Sequence, residues 1–227
     1  EFSEAEQAIM QLQREPTGLL RVSSPIEFGQ LFLGGVVGEF MRSYPAIQVE
    51  VELTTRVVDP VEEGVDVVIY LGRPQDSSLV ARRLMTSPRQ LYASPDYIQR
   101  YGMPQSPEEL SDHRCIHALV DGARKWRFDS PAASVPINPV LVVNNITFAR
   151  EAALAGVGII NVPAFIAEPC VEAGTLVRVL EQAELPSSEL YAMYPSRRFQ
   201  AMKVKAFIDF VVEQLHLRSS SHIEVEA

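Results

Sequence analysis

The fold of this chain is decided by residues 19–55, LLRVSSPIEFGQLFLGGVVGEFMRSYPAIQVEVELTT. An apolar run opens this stretch, and a predicted turn at Ser23–Pro25 separates it from apolar residues that recur at the spacing of a helix. Pro45 stops the helix, and the alternation over Ile47–Leu53 predicts a second strand. The stretch is a βαβ unit, and its right-handed crossover places the Ser23–Pro25 turn where open α/β sheets bind ligands.

The rest of the chain repeats strand and helix patterns, which predicts a second α/β lobe. A short helix over residues 58–64 precedes the apolar strand 65–71, and Thr86–Arg89 forms a hinge between two strands. Further strands are predicted over residues 79–85, 90–94, 114–119, 126–129, 140–143, 158–162, 176–180 and 190–194. Further helices are predicted over residues 96–101, 146–155, 164–173 and 201–215.

The composition indicates a globular protein of two connected lobes. The 227 residues are 47% hydrophobic and 22% charged, which is an ordinary globular composition. A chain of this length is longer than a single hydrophobic core usually accommodates. No apolar run is long enough to cross a bilayer, and no leader pattern opens the chain. Two cysteines, Cys115 and Cys170, fit a reducing cytoplasm. A net charge of −9 argues against binding of nucleic acid by this chain alone, because phosphate neutralisation requires clustered Lys and Arg.

Many of these segments resemble, in order and spacing, the effector-binding domain of LysR-type transcriptional regulators. The matching stretches include GLLRVSSPIEFG, FMRSYP followed by QVEVELTT, VEEGVDVVIYLG, DSSLVARRL, LYASPDY, WRF, NN before AGVGI, GTLVRVL and LYAMYPSRR. The resemblance implies two Rossmann-like subdomains joined by two crossover segments, a type 2 periplasmic-binding-protein-like fold. It also implies a cytoplasmic protein that senses a small-molecule effector and needs no cofactor.

The resemblance predicts the domain boundaries and the partners. Residues 1–15 are the end of a linker helix, residues 17–88 and 197–218 form regulatory subdomain I, residues 89–196 form subdomain II, and residues 219–227 are a loose tail. The family's N-terminal winged helix-turn-helix is absent from this sequence, so promoter DNA is a partner only through that missing domain. A homodimer is expected, and a tetramer in the full-length protein.

Polar residues at two strand ends are the candidate ligand site. Helices are predicted to begin directly after Ser23–Pro25 and after Asn144–Asn145. If both face the cleft between the lobes, two partly positive helix N-termini are expected to hold a small anion there. Glu27 follows the same strand end, so the sequence does not decide the charge of the ligand. Each polar residue could instead serve only as a helix cap. The predicted ligand-binding residues are Ser23, Ser24, Pro25, Ile26, Phe28, Thr54, Thr55, Leu71, Asn144 and Asn145.

No other pattern points to catalysis or to a metal. His113, Cys115 and His117 occupy alternate positions, and all three are residue types that bind metals. Structural zinc needs four protein ligands, so the segment is interpreted as a plain strand. Trp126 is interpreted as a core aromatic residue. The sequence offers no activated nucleophile and no paired carboxylates beside a histidine, which makes an enzyme the weakest alternative. A solute-binding protein of a transporter shares the bilobal shape but would require an export leader.

Three glycines in the first helix, Gly34, Gly35 and Gly38, are unusual, because each interior glycine costs about 1 kcal/mol relative to alanine. The family pairs this helix with the helix over 146–155 of a second chain. We therefore hypothesise that the glycines allow close approach of a partner's helix. The alternative is a crowded contact within the same chain.

Overall fold

The computed structural model describes residues 16–74, 78–118, 124–129, 134–196 and 202–218, together with the backbone of Glu224–Val225. These residues form two compact units. Unit 1 contains the described residues up to Met85, those from Glu189 to Arg218 and Val225, and unit 2 contains those from Thr86 to Ser188 and Glu224. The chain passes from unit 1 to unit 2 after Met85 and back after Ser188, which confirms two α/β subdomains joined by two crossings.

The secondary structure alternates as the sequence predicts. The strands are, in chain order, β1 (Gly18–Pro25), β2 (Ile47–Thr54), β3 (Val67–Leu71), β4 (Leu79–Ser87), β5 (Arg89–Ala93), β6 (Arg114–Ala118), β7 (Lys125–Trp126), β8 (Val135–Pro136), β9 (Asn138–Val143), β10 (Ile159–Pro163), β11 (Val177–Val179), β12 (Ser188–Pro195) and β13 (Glu224–Val225). The helices are α1 (residues 26–43, with a π-helical turn over Gly29–Leu33), α2 (Pro95–Tyr101), α3 (Ile146–Leu154), α4 (Ala164–Glu172) and α5 (Met202–Arg218), with a 3₁₀ turn at Pro107–Ser111.

Unit 1 is built on a mixed six-stranded sheet with the order β13-β4-β12-β3-β1-β2. Strand β1 pairs in parallel with both β2 and β3, and β12 runs antiparallel to β3. The three parallel strands β1, β2 and β3 therefore end at one side of the sheet. We call this side the carboxyl edge of unit 1.

Helices α1 and α5 pack together through aromatic side chains in unit 1. The ring centroid of Phe40 lies 5.2 Å from that of Phe207 and 5.5 Å from that of Phe210. Behind them, Lys203 Nζ lies 2.8 Å from the buried Asp66 carboxylate, which also accepts a hydrogen bond of 3.0 Å from the Arg21 amide. This ion pair ties α5 to β1 and to the segment that leads into β3.

Unit 2 is built on a five-stranded sheet with the order β11-β5-β10-β6-β9. The central strand β10 runs parallel to β6, which runs parallel to β9, whereas β5 runs antiparallel to β10 and β11. Strands β6, β9 and β10 therefore end together, at the carboxyl edge of unit 2. The short strands β7 and β8 pair with each other outside this sheet.

Alternate residues of the central strands of unit 2 belong to two separate clusters, as the two-residue period of a strand requires. One cluster contains Leu91, Cys115, Trp126 and Ile159, and the other contains Tyr92, Ile116, Ile160 and Val162. Both faces of the sheet are therefore covered. This explains why the strands of unit 2 have few polar residues in their centres.

A buried carboxylate links α4 to the sheet of unit 2. Glu168 is 5% exposed; it accepts a hydrogen bond of 2.7 Å from the Tyr92 hydroxyl and pairs with Arg178 at 2.5 Å. Burial, together with this hydrogen bond, raises the pKa of Tyr92 above its ordinary value. The cluster fixes β5, β11 and α4 to one another.

The predicted turn at Ser23–Pro25 is wrong. These residues continue β1, because Ser24 pairs with Leu53 and Pro25 pairs with Thr54 on β2. Helix α1 starts immediately afterwards, at Ile26. The sequence pattern misplaced the strand end because serine and proline also favour turns.

The predicted helix over residues 58–64 is also wrong. The Asp59 carboxylate accepts hydrogen bonds from the backbone N–H groups of Val61 and Glu62, at 2.8 and 3.1 Å. Gly64 then has a φ of +69°, which an L-residue seldom adopts. The segment is a turn because the aspartate side chain bonds the backbone amides that a helix would use.

Strand β12 belongs to unit 1, although the sequence assigned residues 190–194 to subdomain II. Its antiparallel pairing with β3 decides this, and the chain leaves unit 2 at Ser188. The predicted hinge 86–89 is reduced to Pro88 between β4 and β5. The strand over 126–129 is limited to Lys125–Trp126.

Two predictions fall mainly outside the described residues. The linker helix over 1–15 lies outside them, and so does most of the tail over 219–227. The backbone of Glu224–Val225 does form a short strand next to β4, where the sequence predicted a loose tail. Among the helices that the structure describes, we find none with the length and apolar character needed to cross a membrane.

Candidate functional site

The carboxyl edge of unit 1 brings most of the predicted residues of that lobe together. Ser23 and Ser24 end β1, Thr54 ends β2 and Leu71 ends β3. The parallel register puts Pro25 directly opposite Thr54. The sequence therefore predicted correctly that these strand ends are neighbours within one sheet.

The side chains at this edge differ in exposure. Ser23 and Ser24 are each 1% exposed, whereas Thr55 is exposed and Leu71 is 37% exposed. Ser24 Oγ donates a hydrogen bond of 3.2 Å to the Pro25 carbonyl. The hydroxyl thus bonds a backbone acceptor at the end of β1.

The start of α1 differs from the predicted cap. Pro25 occupies the N-cap position and makes no side-chain hydrogen bond there. Ile26 is half-buried, and Glu27 in the first turn is buried at 9% exposure. Phe28 is 2% exposed, and its ring lies 5.1 Å from that of Phe32. Phe28 is therefore a core residue in unit 1, and its contact with a ligand stays a prediction.

The start of α3 in unit 2 is capped as the sequence predicts. Asn145 accepts a hydrogen bond of 2.7 Å from the Phe148 amide through its side-chain oxygen. Asn144 precedes it and is exposed. Both asparagines border a surface hollow of about 580 Å³ with Val142 and Phe148, whose exposed fractions are 38% and 58%. This hollow is apolar apart from the two amides.

A second, smaller cavity lies within unit 2, and its lining carries three basic side chains, Arg89, Lys125 and Arg127. Its volume is about 200 Å³, room for roughly six or seven water molecules at about 30 Å³ each. We call it the cationic cavity. Its apolar wall consists of Ala118, Trp126 and Pro186, and its other polar lining residues are His117 and Asn161.

The strand order explains why the cationic cavity forms at this place. His117 and Ala118 end β6, and Asn161 lies on β10, which pairs in parallel with β6. Arg89 starts β5 and lies opposite Pro163 at the end of β10. The cavity therefore sits at the carboxyl edge of unit 2, the side at which open α/β sheets bind ligands.

Arg89 is held in place by neutral oxygen atoms. Its Nε donates to Asn161 Oδ1 at 2.9 Å, its Nη2 donates to the Asn161 carbonyl at 2.6 Å, and its Nη1 donates to Ser188 Oγ at 3.3 Å. These bonds fix the orientation of the guanidinium group.

The family of the chain follows from comparison with known proteins. The sequence model of the family described as "LysR substrate binding domain" matches residues 13–216. The chain belongs to this family. The architecture of this LysR domain agrees with solved structures of the family. The regulator CrgA from Neisseria meningitidis superimposes with a TM-score of 0.83 at 28% identity, covering 93% of this chain and 73% of CrgA.

The curated relatives of this LysR domain are longer proteins. An HTH-type transcriptional regulator from Xanthomonas campestris pv. campestris is 34% identical over 223 residues, and the match covers 95% of this chain and 65% of that protein. The Escherichia coli activator TtdR is 30% identical over 208 residues, with 89% of this chain and 66% of TtdR covered. This chain thus spans about two thirds of the length of such relatives, which are named as transcriptional regulators.

Sequence reasoning missed the cationic cavity of this LysR domain. The sequence pattern places Arg89 in a hinge and offers His117 only as a possible metal ligand. It predicts Trp126 only as a core residue, and Trp126 does belong to the core. Arg127 and Asn161 were not singled out. One local signal was present: Lys125 and Arg127 flank the buried Trp126, and two cations beside an aromatic are notable in a chain of net charge −9.

The segment weighed as a metal site makes structural contacts. His113 Nδ1 lies 3.0 Å from the Tyr97 hydroxyl, and Cys115 belongs to the core with its Sγ 3.6 Å from the Leu110 carbonyl oxygen. Within the described ranges, we find no group of three histidine, cysteine or acidic side chains placed to hold a metal ion. His117 instead lines the cationic cavity.

Proposed function

We propose that this LysR domain senses a small effector at the carboxyl edges of its sheets. The proposal is carried by one observation: each unit places its polar strand ends at the carboxyl edge of its own parallel strands. In unit 1 these are Ser23, Ser24 and Thr54, and in unit 2 they are Asn144 and the residues of the cationic cavity. Ligands of open α/β sheets bind at such edges.

The effector acts by its preference for one conformation of the domain. A ligand that binds one conformation more tightly than another shifts the population toward that arrangement. The same free energy changes the affinity for any second partner that prefers one arrangement. In the full-length protein that partner is promoter DNA, which an N-terminal helix-turn-helix domain would read.

A thermal-shift screen of small metabolites tests effector binding. A ligand present at a hundred times its dissociation constant stabilises the folded state by about 2.7 kcal/mol, which raises the melting temperature by about 5–10 °C in a chain of this size. Ser24→Ala is expected to reduce that rise. Ser43→Ala, at the other end of α1, is the matched control, because its hydroxyl only bonds the Glu39 carbonyl.

A broad panel that gives no rise, together with an intact regulator that does not respond in cells, would contradict the effector proposal. The DNA-binding part has a separate test. In relatives named as HTH-type regulators, about one third of the length lies outside the matched region. Reading the coding sequence ahead of residue 1 is expected to reveal a winged helix-turn-helix. An export leader there would instead favour a solute-binding protein over a cytoplasmic regulator.

The glycines of α1 support a homodimer. Gly34, Gly35 and Gly38 lie on its exposed side. A Cβ atom added at Gly38 would have no described atom within 4 Å, and one added at Gly35 would meet only the flexible end of Arg218, at 3.3 Å. Packing within the described chain therefore does not require these glycines. Their cost of about 1 kcal/mol each is understandable if a second copy approaches this face.

A second exposed apolar surface supplies the complementary half of this proposed dimer. Phe148 on α3 is 58% exposed, whereas α1 exposes Leu31 and Met41 at 47% and 41%. We expect α1 of one copy to meet α3 of the other, with dimers pairing into tetramers in the full-length protein. Because an isologous dimer contains this contact twice, a substitution on one helix changes both copies of the contact.

Gly35→Leu tests the dimer. The added side chain blocks close approach, so light scattering behind size-exclusion chromatography is expected to give the monomer mass at micromolar concentration, against a dimer mass for the unmodified chain. Glu213→Leu, an exposed position on α5, controls for the addition of a leucine to the surface. A Gly35→Leu variant that keeps the dimer mass would contradict the contact.

A further inference from the structure

We infer that the π-helical turn of α1 is a hinge, at which the first turn of this helix moves separately from the remainder. The inference deepens the proposed function and rests on it, because it names the part of unit 1 that moves when an effector binds at the carboxyl edge. It depends on the hydrogen bonding of the π-helical turn, on the spacing of the buried residues of α1 and on the contacts on either side of the turn.

The π-helical turn contains one residue more than an α-helical turn. The Gly34 backbone N–H donates to the Gly29 carbonyl, five residues earlier. In an α-helix it would donate to the carbonyl four residues earlier, which belongs to Gln30. Sharp bends in helices occur at such wide turns and at glycines, and here a glycine lies at each end of the wide turn. The local geometry is therefore that of a hinge.

The spacing of the buried residues explains why the wide turn forms. Leu33, Val36 and Phe40 are at most 1% exposed and are three and four residues apart, as one face of an α-helix requires. Phe28 is 2% exposed and precedes Leu33 by five residues. An α-helix would place these two side chains about 140° apart. The extra residue lets both be buried, so the first turn and the remainder of α1 do not share one α-helical register.

The remainder of α1 is anchored to α5. Phe40 packs against Phe207 and Phe210, and the Glu39 carboxylate lies 2.6 Å from Arg218 Nη2. All these contacts involve residues of α1 that follow the wide turn. They hold the second part of α1 against another helix, which makes it the fixed side of the hinge.

The first turn of α1 is attached differently. Pro25 at its N-cap makes no side-chain hydrogen bond to it, and the ring of Phe28 lies 5.1 Å from that of Phe32, which is itself in the wide turn. A Cβ atom added at Gly29 would overlap the side chain of Leu53 on β2. Leu53 is 38% exposed, so the wide turn touches the sheet here through a flexible side chain at the surface. The first turn is therefore the moving side of the hinge.

Movement of the first turn reaches the residues predicted to bind the effector. Ser24 Oγ donates a hydrogen bond to the Pro25 carbonyl, and α1 begins at the next residue. Glu27 and Phe28 lie in the first turn and are buried. A ligand that displaces Ser24 moves the first turn with it, and the wide turn absorbs the displacement while the second part of α1 keeps its contacts.

Amide hydrogen exchange of the unmodified chain, followed by NMR, tests the hinge without an effector. The amides of residues 30–34 are compared with those of residues 38–42 in the same helix. They are also compared with those of residues 150–154 in α3, which lie equally far from their helix start. After correction for intrinsic rates, residues 30–34 are expected to exchange about tenfold faster than both sets, because local opening at the wide turn exposes them. Equal protection of the three sets would overturn the inference.

Gly34→Ala stiffens the hinge. Its Cβ would lie 3.5 Å from the Gly29 carbonyl oxygen, an ordinary contact, and alanine favours a helix over glycine. Exchange of residues 30–34 is expected to slow about fivefold, with residues 38–42 unchanged.

Gly38→Ala is the matched control for this substitution. Gly38 lies on the same exposed side of α1, and a Cβ atom there would have no described atom within 4 Å. The change is expected to leave exchange of residues 30–34 as it is in the unmodified chain. Equal slowing of these residues by Gly34→Ala and Gly38→Ala would show that α1 opens as one unit, and the hinge would be excluded.

Deletion of Gln30 removes the extra residue. Phe28 and Leu33 would then be four positions apart, so an ordinary α-helix buries both. The melting temperature is expected to stay within about 3 °C, and the exchange difference within α1 should disappear. Deletion of Gly38 shortens α1 where the spacing already fits and turns Phe40 out of the core, so the melting temperature should fall by about 10 °C or more. Two equally destabilising deletions would show that the wide turn contains no surplus residue, against the inference.

These measurements use no effector, so their outcome is separate from that of the metabolite screen. Equal protection along α1 would remove the hinge and leave effector sensing standing. A screen with no response would remove effector sensing, whereas the exchange rates would still decide the hinge.

Discussion

The carboxyl edges of the two sheets occupy equivalent places in the topology but differ in chemistry. In unit 1 the two serines of the edge are buried at 1% exposure each, and the acidic Glu27 follows them. In unit 2 the edge holds a cavity with three basic residues along its wall. The repeated fold fixes where a ligand can bind, and the side chains of each unit decide what it can be.

The first prediction concerns the strand beneath the cationic cavity. Cys115 lies on β6, two residues before His117, and is 0% exposed. Burial raises the pKa of the Cys115 thiol to about 12. At about pH 8 its thiolate fraction is therefore roughly a thousandfold below that of an ordinary cysteine. Iodoacetamide is expected to label Cys170 in the native chain and to spare Cys115, as measured by mass spectrometry.

The pH dependence of this labelling follows from the direction of the shift. Because the pKa is raised, the thiol stays protonated until the pH approaches 12, and the rate at Cys115 should keep rising over that range. In urea both cysteines should react equally. Equal labelling rates of Cys115 and Cys170 in the native chain would show that β6 is open to solvent. Cys115 would then not belong to a buried core next to the cavity.

The second prediction tests what supports the unit 2 edge. Glu168 accepts a hydrogen bond from the hydroxyl of Tyr92. Tyr92 lies on β5, three residues after Arg89. Glu168→Gln leaves Arg178 without its carboxylate and is expected to lower the free energy of unfolding by about 2–3 kcal/mol. This value is below that of a fully buried pair because the Arg178 side chain is 32% exposed. Urea denaturation followed by Trp126 fluorescence measures it.

The control for this change is Glu172→Gln on the same helix. Glu172 is exposed, so its replacement should change the free energy of unfolding by no more than about 0.5 kcal/mol. If Glu168→Gln were equally mild, β5, β11 and α4 would be held together by something other than this cluster.

The third and smallest prediction compares the two helix starts at the two edges. Asn145 caps α3 through a bond to the Phe148 amide, so Asn145→Ala is expected to cost about 1 kcal/mol. Ser24 makes no such cap, and Ser24→Ala should cost less than Asn145→Ala. Asn144→Ala, at the exposed neighbouring position, is the control. Thermal unfolding of the three variants under identical conditions ranks them, and a larger loss for Ser24→Ala would reverse the comparison.

The sequence predicted most of the fold because the deciding signals are local. The periodicities of residues 26–43 and 47–54 identify a helix and a strand without any knowledge of the rest of the chain. The errors came where two local signals compete. Asp59 bonds backbone amides in a segment of helix-forming residues, and the serines of β1 continue a strand in spite of their preference for turns.

The cationic cavity could not be predicted in the same way, because its residues meet only through pairing of distant strands. Arg89 reaches Asn161 across the antiparallel β5–β10 pair, 72 residues away along the chain. The parallel pairing of β6 with β10 brings His117 to the same edge. Register between strands is set by the packed core as a whole, and no short window of sequence specifies it. The predicted cap Asn145, by contrast, depends on a bond three residues away.

The continuity of unit 2 has a consequence for how such a protein can be taken apart. Its described residues, apart from Glu224, lie between Thr86 and Ser188, whereas the main part of unit 1 is assembled from the two flanking stretches and contains the Lys203–Asp66 ion pair. Two cuts in a gene would release most of unit 2 as a single cassette. Grafting that cassette between the flanks of a relative is therefore a rational way to exchange ligand preference while the other half keeps its own termini.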